Sequence, residues 1–195
     1  EKTELQSLLA TGVRLEGTGT GSGSVTLRYD DVCDDKVNVN VIEVENQKQY
    51  MPAVTTLSGG GFAVAYHTVD DNRNNEIMAR LFGADGTGPE ELQVNTYTDS
   101  NQSDAALAAT PDGIVAAWVS MYQDGDDEGV FARYLDDTLG TDDNDFQVST
   151  QSAYLQSEPT VATAADGRYV IAWTQTWADG STVVHLRVYP APTAD

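Results

Sequence analysis

The loop Asp124-Gly125-Asp126-Asp127-Glu128-Gly129 sets side-chain oxygens at alternating positions around a turn-forming glycine. Hard divalent cations, calcium above all, take oxygen ligands presented in this way. The glutamate twelve positions from the loop start that an EF-hand requires is missing, so the loop is not one. A counterpart from Asp70 to Glu76 also carries oxygen donors. Asp124, Asp126, Glu128, Asp70, Asn72 and Asn74 are therefore the candidate metal ligands, with calcium as the expected cation. The competing reading is a pair of solvated hairpin loops, in which Asp, Asn and Gly serve the turn alone.

Other chemistries find less support. The two histidines, His67 and His185, stand in or beside different strand-like segments, without the Gly-x-Ser-x-Gly or His-Glu-x-x-His context of a nucleophilic or zinc hydrolase. The glycine-rich run from Gly17 to Gly23 has neither dinucleotide spacing nor a Gly-Lys-Ser/Thr ending, and reads as a hairpin tip. Carboxylates are numerous enough for glycosidase-type acid and base catalysis, yet no single pair stands out. Arg28, Arg80, Arg133 and Arg187 recur at equivalent places, where a guanidinium fork can bind an anionic ligand or pair with an aspartate of the adjacent sheet.

These residues ride on a repeat. Gln49, Pro52, Val54 and Phe62 to Tyr66 recur as Gln102, Ala105, Leu107 and Ile114 to Trp118, and again as Gln156, Pro159, Val161 and Tyr169 to Trp173. Each unit continues through a polar loop into an Arg-containing strand (Ile77 to Arg80, Val130 to Arg133, Val184 to Arg187), with a period of about 53 residues. Turn chemistry places four strands in the first full unit: Pro52 to Leu57, Phe62 to Thr68, Ile77 to Phe82 and Leu92 to Asn95. The expected fold class is all-β: a β-propeller-like array of about four blade repeats, each a four-stranded antiparallel sheet, with the terminal ones incomplete. The expected organisation is one domain over 1–195, with a partial repeat at 8–45 and repeats at 49–96, 102–150 and 156–190. Tyr66, Trp118 and Trp173 sit at equivalent strand ends and are expected in the core between blades.

Charge narrows the partners. A net charge of −21, from 31 acidic against 10 basic residues, repels nucleic acid and anionic membrane surfaces. No apolar run reaches the ~20 residues that span a bilayer, so no membrane insertion is expected. Cys33 has no second cysteine to pair with. The start at Glu1 and the Pro190 to Asp195 tail suggest a processed chain or a fragment. Incomplete terminal blades leave sheet edges that a second copy can pair with.

The segments Gly59 to Tyr66, Pro111 to Trp118 and Gln123 to Tyr134, in phase over 25–189, resemble the tandem repeats of very large secreted bacterial calcium-dependent adhesins and related repeats-in-toxin proteins. The resemblance implies an extracellular, noncatalytic, calcium-carrying propeller module. The expectation is thus a secreted binding, adhesion or assembly module with a protein or glycan partner, or one that self-associates, and not an enzyme. The alternatives are a structural protomer of a filament or ring, and a propeller glycosidase or lyase using paired carboxylates.

Overall fold

In a computed structural model of the chain, the described residues are 13–16, 26–29, 48–69, 74–88, 91–136, 144–150 and 153–192. They form thirteen strands and no helix. β1 (Val13–Glu16) and β2 (Thr26–Tyr29) pair antiparallel. They are the described portion of the partial repeat at 8–45, the rest of which lies outside the described residues.

Three blades follow. The first contains β3 (Gln49–Thr56), β4 (Phe62–Val69), β5 (Asn75–Phe82) and β6 (Leu92–Gln93); the second contains β7 (Gln102–Thr110), β8 (Gly113–Met121), β9 (Glu128–Asp136) and β10 (Phe146–Gln147). The third has β11 (Leu155–Thr163), β12 (Tyr169–Thr176) and β13 (Thr182–Tyr189). Strands are ordered as in the chain and every pairing is antiparallel. The fold is the expected all-β propeller-like array.

The long apolar run of β8 follows from its place in the middle. Ile114, Ala116 and Trp118 face the first blade, meeting Ala63, Ala65 and Ile77, while Val115 and Ala117 face the third, meeting Ile171 and Trp173. A strand sandwiched on both faces reads as continuous hydrophobicity. In β12 only alternate residues Tyr169, Ile171, Trp173 and Gln175 are buried, because the described residues cover one face of the third blade. Trp118 is fully buried and Tyr66 nearly so, as core residues should be. Arg133 donates to the Val94 carbonyl across the blade interface at 2.8 Å.

Two details differ from the turn chemistry expected. Gly113 does not have a positive φ. Its reason is space, since a Cβ there would collide with the Leu135 carbonyl; Gly61 meets the Phe82 carbonyl in the same way. The first strands also start earlier than Pro52 suggested, running through a bulge that skips the proline. Proline has no N–H for the ladder, so the strand can include it only where pairing is interrupted.

Candidate functional site

The bulge recurs in all three blades, and it builds the site. Register breaks between Tyr50 and Ala53, between Ser103 and Ala106, and between Ser157 and Thr160. At each break one non-glycine residue takes a left-handed backbone: Met51 at φ 51°, Asp104 at 54° and Glu158 at 53°. Side chains with a Cβ reach this region at a cost of about 1–2 kcal/mol, so a surrounding frame must hold them there. β3, β7 and β11 lie beside one another across the blades. Asp104 and Glu158 therefore occupy matching points on adjacent first strands, both at the end of the blades where β4 ends, β5 begins and the loops 122–127 and 177–181 emerge.

Further groups converge on that end. His67, at the end of β4, is buried, and its ring lies 5.2 Å from that of Tyr50. Burial pushes the imidazole below its ordinary pKa, and the Asp104 charge partly opposes the shift. Its Nδ1 has no hydrogen-bond partner among the described residues. Glu128, opening β9, is pushed up, first by burial and then by repulsion from Asp127 and Asp104. Asp104 is thus within electrostatic reach of both His67 and Glu128. Thr174 donates to a Glu158 carboxylate oxygen at 3.0 Å and orients it. Exposed aromatics frame the carboxylates: Tyr50, Tyr122 and Tyr154 all project at this end. A separate cavity of about 250 Å³ at the opposite end, lined by Leu57, Phe82, Pro111 and neighbouring turn residues, has no titratable side chain in its wall.

The candidate metal ligands are more scattered than the loop pattern suggested. Asp124 folds back into its own hairpin, accepting from the Asp126 N–H at 3.3 Å and from Gln147 at 2.9 Å. Burial pushes its carboxyl up. Asp126 is exposed, and Glu128 faces Asp104 electrostatically. Asn74 donates to the Thr98 carbonyl at 3.0 Å. Asp70 and Asn72 lie outside the described residues. Among the described residues, no three His, Cys, Asp or Glu side chains come together in an arrangement that could hold a metal ion. No chemical step is accordingly routed through a cation here.

Asp104 and Glu158 were not singled out in the sequence, where they are two carboxylates among many. The available signal was their place two residues after the repeated Gln102 and Gln156, immediately before Ala105 and Pro159.

No protein-family model matches the chain, and no curated protein matches it in sequence. Among solved structures it is similar to an endo-arabinase from Bacteroides thetaiotaomicron VPI-5482, with a TM-score of 0.57 and 13% identity over 86% of this chain and 68% of the other. It is also similar to a thermostable family-43 glycoside hydrolase, with a TM-score of 0.50 and 8% identity over 94% of this chain and 74% of the other. At such identities the likeness is one of fold. The expectation of a noncatalytic adhesion, assembly or structural module that is not an enzyme is overturned by these neighbours, which are glycoside hydrolases. The physical reason for the error is that serine and zinc hydrolases leave local motifs, whereas a carboxylate pair assembled from two blades leaves none.

Proposed function

We propose that the chain is a glycan-cleaving propeller module in which carboxylates gathered at the bulged end of the blades, Asp104 and Glu158 on first strands and Glu128 opening β9, carry out acid and base catalysis. The observation that carries this reading is the repeated left-handed bulge presenting Asp104 and Glu158 at matching points of adjacent blades. Strained backbone of this kind clusters at functional sites. Glycoside cleavage needs one carboxyl to protonate the leaving oxygen and a second carboxylate to activate water or attack the anomeric carbon. Environments that push such groups apart in pKa assign the roles. Glu128, raised by burial and by its acidic neighbours, is the proton donor in this proposal. Asp104 is the base or nucleophile beside it. Glu158, held by Thr174, stabilises the positive charge that develops on the sugar ring.

The strongly negative surface favours a neutral glycan over an anionic one. The arabinase fold neighbour makes arabinose-containing polysaccharides the first substrates to try, and such polymers suit an extracellular protein. Reducing-end release across a panel of neutral polysaccharides is the test. The parent chain should release ends, and Asp104→Asn and Glu158→Gln should each lose ~10²-fold or more of turnover while keeping their β spectrum. Glu128→Gln should lose less on a substrate with an activated leaving group, which needs no proton. No release by the parent chain, or parental rates in both inner-strand variants, would overturn the reading.

A further inference from the structure

We propose that Tyr154 and Trp177 form a stacking subsite for one sugar ring of a neutral oligosaccharide, on the third blade beside Glu158. The subsite deepens the glycan-cleaving reading and rests on it for its place along the substrate. Tyr154 immediately precedes β11 and Trp177 immediately follows β12, and the pairing of Leu155 with Thr176 sets them side by side. Their ring centroids are 5.4 Å apart and the planes meet at 57°. Two rings inclined in this way make a corner, with Tyr154 exposed and Trp177 half-buried. An open, shallow depression begins at this corner and continues along Ala178, Asp179 and Ser181.

The corner is held rigidly. Tyr154 has a left-handed backbone at φ 75°. Gln156, fully buried, donates to the Tyr154 carbonyl at 2.9 Å and to the Ala153 carbonyl at 3.3 Å. Gln175, nearly as buried, donates to the Ala153 carbonyl at 3.0 Å. Two buried amides thus fix the backbone that aims the tyrosine. Trp177 is fixed by its turn, where its N–H donates to the Ser181 carbonyl and its carbonyl accepts from Gly180, each at 2.8 Å.

The chemistry of the corner selects its ligand. Aromatic faces take the C–H face of a sugar ring, an apolar surface edged with hydroxyls. The Asp179 carboxylate, held below the usual range by the Ser181 hydroxyl and N–H, offers acceptor capacity to those hydroxyls and repels an anionic sugar. The second blade has Tyr122 where the third has Trp177, but Ser100 where the third has Tyr154. The two-ring corner is therefore not part of the common repeat frame.

The tryptophans make the test direct. Of the three, Trp118 and Trp173 are 0% and 6% exposed, so collisional quenching by neutral acrylamide reports chiefly on Trp177. The full chain carrying Asp104→Asn is titrated with linear neutral oligosaccharides, pentose-built and hexose-built in separate arms, following acrylamide quenching alongside calorimetry. A saturable fall in quenching is expected in at least one arm, with affinity about tenfold weaker in Trp177→Ala and largely kept in Trp177→Phe. Tyr154→Ala supplies a second variant should Trp177→Ala not fold. Unchanged quenching in both arms, or parental affinity in the folded alanine variants, overturns the subsite. Turnover by the parent chain with an unaltered KM in Trp177→Ala sinks the subsite and leaves the cleavage reading standing. Protected Trp177 with no turnover by the parent does the reverse.

Discussion

Asp104 joins two groups that carry no hydrogen bond to it, and its influence on each has a definite sign. Its negative charge favours protonated His67 and disfavours ionised Glu128. Asp104→Asn should therefore lower both pKa values: the imidazole loses an attraction, and the carboxyl loses a repulsion. With two histidines in the chain, a pH titration followed by NMR resolves His67 readily. Opposite movements, or movement of His185 instead, would show that Asp104 does not reach both groups. Glu128 gives a stability counterpart. Its folded pKa is raised, so its contribution is fully present below the unfolded value, ~4.3, and is lost as pH rises through the folded value. Glu128→Gln removes that loss. At neutral pH the variant should melt up to ~2–4 °C above the parent, the upper bound left by solvent screening of a half-exposed group. Below about pH 4 the two curves should converge. A variant less stable than its parent at pH 7 would mean that Glu128 makes a favourable contact when ionised.

Strands, blades and their phase were legible because each depends on local pattern. The doubly buried β8 needs an unbroken apolar run, the hairpins need Asp and Gly, and the repetition of Gln102 as Gln156 fixes the frame. The bulge was not legible, because Pro52 and Pro159 look like strand starts whereas the chain enters the sheets three residues before Pro52 and four before Pro159. Hence Asp104 and Glu158 stayed hidden among many carboxylates, and the approach of Glu128 to Asp104 leaves no local pattern. Gly113 shows the same limit: the sequence identified a turn glycine, but only the packed sheet reveals a close approach to the Leu135 carbonyl. Gly113→Ala should cost about 1–3 kcal/mol, as overpacking does. Gly125→Ala makes the comparison, since open space surrounds that position and only its φ of +92° opposes a Cβ, at about 1–2 kcal/mol. Denaturant unfolding should show the larger loss at Gly113. Equal midpoints for Gly113→Ala and the parent would require the β8–β9 edge to yield without strain.

At the scale of the whole molecule the dominant fact is charge. A net −21 repels itself most strongly in the compact state, where the carboxylates are brought closest together. Added monovalent salt should therefore raise the melting temperature steeply from low ionic strength, then level off as the Debye length falls below ~8 Å. A divalent cation can do more only by binding. Asp124, raised by burial with the Asp126 charge adding to it, is a group whose ionisation a bound cation would favour. Calcium at the 124–128 loop is the proposal to test, through Asp124 with Asp126 supplying a further oxygen and Glu128 left as the proton donor, a set that only a rearranged loop would bring together because these side chains do not converge among the described residues. Calcium at a hundred times its dissociation constant would add ~2.7 kcal/mol over a sodium control of equal ionic strength. Asp124→Asn should remove most of that increment and leave the sodium response untouched. If calcium and sodium give one melting temperature at matched ionic strength, the loop is a solvated hairpin, and screening alone accounts for the salt dependence.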